Sequence, residues 1–189
     1  MKAIYFFIFT FLMATSQLSA QTWQWTHAEP NGPGGSYDND AAHDVETDAA
    51  GNVYVLGEYN GSLYLNNTFI TSAYGTSSYL AKYSPTGSLL WYKLYAPTAY
   101  TTYYYYISAT DIVVNSDGVY ITGKYGGSNY SDYNCSTNIG TGTKLKYLMG
   151  NDTLVSDFNE NGYFLTKLDF DGNKVWSKLS TVPPGACST

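Results

Sequence analysis

The sequence predicts an all-β fold built from two copies of one four-stranded antiparallel unit. Three observations predict it: a composition rich in strand and turn formers, a two-part motif that occurs twice in the same order, and glycine-containing turns between runs of alternating side chains.

Composition comes first. Of 189 residues, 17% are aromatic and only 13% charged, with 21 Tyr and 18 Gly. Aromatic and β-branched residues suit a pleated surface, and Gly, Asn and Ser suit turns. Helix formers on a charged face are scarce, so long amphipathic helices are not expected. A hydrophobic share of 44% argues against disorder. The formal charge is −6 and every basic side chain other than His is Lys. Clustered Arg and Lys grip phosphate backbones, so nucleic acid is not an expected partner, nor is an anionic membrane surface.

The chain opens with Lys2 and then AIYFFIFTFLMA, residues 3–14. As a helix that run covers only ~18 Å, against a hydrocarbon core of ~30 Å. Small residues follow up to Ala20, so residues 1–20 read as a signal peptide cleaved before Gln21. Secretion or display on the outer cell surface follows, with no membrane span after cleavage. The plainer reading is a buried strand or helix. Export permits a disulfide between Cys135 and Cys187. Pairing would close a loop of about fifty residues, which the chain-entropy model values at roughly 4 kcal/mol. Two unpaired thiols are the open alternative. Neither Cys has a Cys or His neighbour at metal-ligand spacing.

The repeat organises the rest. DVETDAAGNVYVLGEYNG, residues 44–61, matches DIVVNSDGVYITGKYGG, residues 111–127, after one gap in the turn. YLAKYSPTGSLLWYKL, residues 79–94, matches FLTKLDFDGNKVWSKL, residues 164–179. Tyr54 pairs with Tyr120, Gly57 with Gly123, Lys82 with Lys167 and Trp91 with Trp176. The second copy carries about nineteen extra residues between Gly127 and Leu148. An insertion in a surface loop costs little, since doubling a loop adds only ~0.6 kcal/mol. VYVLG and VYITG alternate faces of a strand, and SPTGSLLW and DFDGNKVW each read as a hairpin turn with a strand ending in Trp. A lone sheet of four strands buries one face well, so stacking of like sheets is the expected solution. TWQWTHA, residues 22–28, places Trp25 where Trp91 and Trp176 stand, as the last strand of a preceding copy.

DAAGNVYVLG with YLAKYSPTGSLLW, and again NSDGVYITG with FLTKLDFDGNKVW, resembles the bacterial β-propeller repeat family often called SBBP repeats. The likeness covers about residues 43–94 and 110–179. It implies two four-stranded propeller-type blades belonging to a larger β-propeller, on an exported or cell-surface bacterial protein, some members carrying a signal for type IX secretion. It lends no catalytic residues. The expected divisions are signal peptide 1–20, leading strand and linker 21–42, repeat 43–94, Tyr-rich connection 95–109, repeat 110–179 with insertion 128–147, and tail or linker 180–189. A propeller takes typically four to eight blades. The expectation is therefore the leading part of a longer chain, with self-association as the explanation if the chain is complete.

Chemistry is thin. The sequence holds no G-x-S-x-G elbow, H-E-x-x-H pair or phosphate-binding loop. His43-Asp44 has the residue types of a base and a carboxylate, but the second copy has Thr110-Asp111, which favours a local strand role. In DFDGN, Asp169 and Asp171 are the candidate calcium ligands, yet no bidentate Glu follows at the required spacing and a plain turn reads better. Tyr103, Tyr104, Tyr105 and Tyr106 are the candidate ligand-binding residues, because exposed rings stack on sugars; the plainer reading packs alternate rings between blades. Several N-x-[ST] triplets could accept glycans.

The expected function is a non-catalytic structural or interaction scaffold that contacts other surface proteins or polysaccharide, with no cofactor. The alternative is a carbohydrate-binding or accessory domain of a larger extracellular glycan-processing enzyme. A quinone-binding propeller lacks the cation and metal-binding acid pair it needs.

Overall fold

The computed structural model describes residues 40–98, 104–128, 145–149, 152–156 and 162–181. Among them lie ten strands and no helix. They are β1 (Ala41–Thr47), β2 (Val53–Leu65), β3 (Thr68–Tyr83), β4 (Leu89–Pro97), β5 (Tyr104–Asn115), β6 (Gly118–Ser128), β7 (Leu145–Met149), β8 (Asp152–Ser156), β9 (Gly162–Leu168) and β10 (Lys174–Thr181).

Three of the turns share one five-residue design, Asp/Ser-x-x-Gly-Asn/Ser. Between β1 and β2, Asp48 N donates to Asn52 O (3.0 Å) and Gly51 N to Asp48 O (2.9 Å). Between β3 and β4 the same two bonds join Ser84 with Ser88 and Gly87, and between β9 and β10 they join Asp169 with Asn173 and Gly172. In each, the first side chain also accepts from the backbone two and four residues on, as Asp48 Oδ1 does from Ala50 N and Asn52 N. The fourth residue must turn at φ near +80°, and it is Gly each time: +79° at Gly51, +85° at Gly87 and +78° at Gly172. Between β5 and β6 the turn is shorter, with Asn115 paired directly to Gly118.

The first sheet has the order β1-β2-β3-β4-β7-β8 and the second β10-β9-β6-β5, all pairs antiparallel. Two four-stranded units are thus present, but the first sheet has six strands, a correction to the expectation of four. The cause is the insertion. In the first copy β2 and β3 remain two continuous strands, with register shifts between Tyr59 and Gly61 and between Leu63 and Tyr64, up to the tip at Asn66-Asn67. In the second copy the tip is a separate hairpin, β7–β8, and β7 pairs with the edge of β4 through Tyr95–Met149, Ala96–Leu148 and Pro97–Tyr147. The last three residues of that edge are thereby paired. β6 runs to Ser128, β7 starts inside the range 128–147 assigned to the insertion, and β4 and β5 both enter the range 95–109.

The repeat extends to irregularities. β1 bulges at His43 and β5 at the matching Thr110; β4 bulges at Leu90 and β10 at the matching Val175. A bulge bends a strand and re-aims its side chains, so the two sheets curve alike and can nest.

They nest face to tail. One core cluster joins Tyr54, Leu56, Leu80 and Tyr95 of the first sheet to Ile107, Ala109, Ile112, Val119, Ile121, Tyr125, Phe164 and Leu168 of the second. The counterparts of Tyr54 and Leu80 in the second copy, Tyr120 and Leu165, lie on that sheet's other face. The counterparts of Val119, Ile121, Tyr125, Phe164 and Leu168 are Val53, Val55, Tyr59, Tyr79 and Tyr83, and these form a second cluster on the other face of the first sheet. In the nested pair the first copy's Tyr54 face receives the second sheet, and the second copy's Val119 face is the one received.

Candidate interaction site

Where the sheets meet, four side chains of the first sheet build a socket for one turn of the second. Alternation along β3 turns Ser78, Leu80 and Lys82 to the second sheet, and along β2 it turns Tyr54 and Leu56 the same way. Lys82 is only 7% exposed, and its Nζ lies 3.5 Å from Asp48 Oδ2. The ammonium sits 4.9 Å from the centroid of Tyr54, whose hydroxyl donates to Asp48 Oδ2 at 3.1 Å. Trp91 meets Tyr54 edge-on, with centroids 5.8 Å apart at 70°.

Into this socket the β9–β10 turn delivers one backbone carbonyl. Phe170 O accepts from Lys82 Nζ at 3.0 Å and from Trp91 Nε1 at 3.1 Å. Gly172 lies against the indole so closely that a Cβ there would stand 3.3 Å from its ring atoms and 2.6 Å from Lys93 Cε. A buried cation needs hydrogen-bonding partners, and this one has a carboxylate, a carbonyl and an aromatic face.

The charges respond to their setting. Burial opposes ionisation of Asp48, but donors from Asn52 and Tyr54 and the Lys82 charge outweigh it and hold the carboxyl below its ordinary 3.8. Burial, then the Asp48 charge, pushes the Tyr54 phenol well above its ordinary value.

Four further hydrogen bonds tie the sheets. Ser78 Oγ donates to Ile107 O (3.1 Å) and accepts from Ala109 N (2.8 Å). Asp44 Oδ2 accepts from Ile112 N at 3.1 Å. Ser108 Oγ donates to Glu58 Oε2 at 2.9 Å.

The candidates named from sequence fall as follows. His43 sits on the β1 bulge with Nε2 3.5 Å from Glu58 Oε2, while Asp44 accepts from Val45 N and Ile112 N. The pair is not aligned as a base and its carboxylate. Asp169 spends its carboxylate inside its own turn, accepting from Asp171 N, Asn173 N and Asn173 Nδ2. Among the described residues no three His, Cys, Asp or Glu gather as a metal site, and no helix is long and apolar enough to cross a membrane. Tyr106 is half-buried on β5, and burial pushes its phenol upward. Of Tyr104 and Tyr105 the backbone alone is described, and Tyr103 lies outside the described residues, as do the expected signal peptide of residues 1–20, Trp25, Cys135 and Cys187.

Sequence reasoning did not find the socket. Its signal was present, because the turn motif, the Lys and the Trp recur together in both copies. The carboxylate hid the pattern: Asp48 stands three residues before its Gly, Asp117 immediately before its own. Compared with known protein families, curated proteins and solved structures, the chain matches none.

Proposed function

We propose that the chain is a non-catalytic repeat module of the β-propeller type, secreted or held at the cell surface, that serves as a structural and interaction scaffold. The observation that carries this reading is the face-to-tail nesting of the two copies, locked by a turn of one in a socket of the other. Such an arrangement adds units in one direction, each contacting its neighbours, which is how repeat proteins build extended binding surfaces. The apolar leader and the likeness to the SBBP repeats support export, and they support other surface proteins or polysaccharide as partners.

The test is made on intact producing cells. Cross-linking through the exposed Lys124, Lys174 and Lys178 is expected to join the chain, lacking residues 1–20, to cell-surface proteins or polysaccharide. A cytoplasmic product that keeps residues 1–20, or hydrolysis of a polysaccharide by the purified chain, overturns the reading.

A further inference from the structure

The outer face of the second sheet carries the same socket, and among the described residues no turn is seated in it. Asp117 Oδ2 accepts from Tyr120 Oη and bonds Lys167 Nζ at 2.7 Å. Lys167 Nζ lies 5.3 Å from the Tyr120 centroid, and Trp176 meets Tyr120 edge-on at 6.1 Å and 65°. These are the relations of Asp48, Tyr54, Lys82 and Trp91, residue for residue. The covering differs. The Asp117 side chain is 66% exposed where that of Asp48 is 10%, and Leu165 is 41% exposed where Leu80 is fully buried. Among the described residues neither Lys167 Nζ nor Trp176 Nε1 meets a backbone carbonyl.

We propose that this face seats a further repeat of the same kind. Its occupant is an antiparallel sheet with an apolar inner face, like that of Val119, Ile121, Phe164 and Leu168. It enters with an Asp/Ser-x-x-Gly turn whose second residue gives its carbonyl to Lys167 and Trp176. This rests on the scaffold reading above. The equivalent four side chains of the first sheet, Asp48, Tyr54, Lys82 and Trp91, already seat such a turn once in this molecule. The Lys167–Asp117 pair is formed in advance, so an incoming turn meets an ordered cation and brings only a neutral carbonyl. Val113, Tyr163 and Leu165, exposed by 49, 58 and 41%, widen the apolar area around the socket.

Two departures define the occupant further. Lys124 stands where Glu58 stands in the first sheet, and Glu58 accepts from Ser108 of the sheet it receives. The occupant therefore carries an acceptor or a carboxylate opposite Lys124. Tyr163 stands in the place of Ser78, so the occupant has a small residue opposite it.

A tandem protein tests this. It is the full chain with a second copy of residues 104–181 appended after Thr189, built once with Tyr163 in the parent copy and once with Tyr163→Ser. The readout is exchange of the Trp176 indole N–H with solvent, followed by nitrogen-15 NMR and assigned with Trp176→Phe. In at least one tandem the exchange is expected to slow by about tenfold or more, toward the rate at Trp91, and Lys167→Met in the parent copy is expected to reverse it. Trp176 exchanging as fast in both tandems as in the single chain overturns the proposal, whether or not the appended copy folds. Protection in the single chain that rises with its concentration, or with added maltoheptaose, also overturns it, by giving the face to a second copy or to a glycan. Fast exchange at Trp91 in the single chain is a different failure: it removes the stacked-sheet reading itself.

Discussion

Replacing Lys82 by Met separates the two sockets by energy. Met keeps an unbranched stem of similar length against Tyr54, so the packing is largely retained. What goes is the charged donor to Phe170 O, a bond of the kind worth about 1.5–3 kcal/mol. Asp48 is left without its cation. It keeps the donors of its own turn and the Tyr54 hydroxyl, so it escapes the ~3–5 kcal/mol cost of an orphaned buried charge. The expected loss is about 2–3 kcal/mol, or a fall of roughly 4–12 °C in Tm for a domain of this size. Lys167→Met is the internal control. It alters the same motif beside the same residue types, but Asp117 is exposed and no turn among the described residues is seated there, so no measurable change is expected. The assay is urea unfolding by far-ultraviolet circular dichroism at neutral pH, with both variants measured beside the parent. Equal losses in the two variants, or no loss in Lys82→Met, would refute the claim that the seated turn makes the difference.

Two other outcomes follow from the same geometry. Asp44, Asp48 and Asp169 are all held below their ordinary 3.8, so the folded chain binds fewer protons than the unfolded one around that pH. Their stabilisation is complete above the unfolded value and is lost as pH falls through it toward the folded values. The urea midpoint should hold from neutral pH to about 5 and then fall, and Asp48→Asn should make that fall shallower; a midpoint that drops mainly above pH 5 contradicts this. At Gly123, a Cβ would overlap Ser108 O, stand 2.6 Å from Ala109 Cα and 2.7 Å from the Phe164 ring. Gly123→Ala is expected to lose about 1–3 kcal/mol through overpacking, and a calorimetric Tm equal to the parent's would show that the strands can spread there.

Much of the fold was legible along the chain because it is local. The Asp/Ser-x-x-Gly turns announce themselves, since a carboxylate or hydroxyl that accepts from its own backbone and a residue free to take positive φ are properties of five neighbouring residues. The strands between them follow from alternation, and the repeat follows from comparing the chain with itself. The six-stranded sheet was not legible. The insertion was visible as extra length, but a hairpin separated from β6 by a long stretch of sequence can pair with any open edge within reach, and the edge it took, β4, is settled by proximity in space.

The same division holds at the socket. By itself the sequence determined that Lys82 and Lys167, and Trp91 and Trp176, are equivalent, and that each stands beside a glycine turn. It could not determine which of them is covered. Val53, Tyr54, Val55 and Leu56 are apolar on both faces of one strand, so alternation marks two faces without saying which one receives a neighbour. Only tertiary structure decided that the Lys82 face takes the second sheet while the Lys167 face keeps Val113, Tyr163 and Leu165 exposed. The physical reason is that burial is a property of what lies opposite, and what lies opposite Lys82 is the carbonyl of a residue eighty-eight positions away.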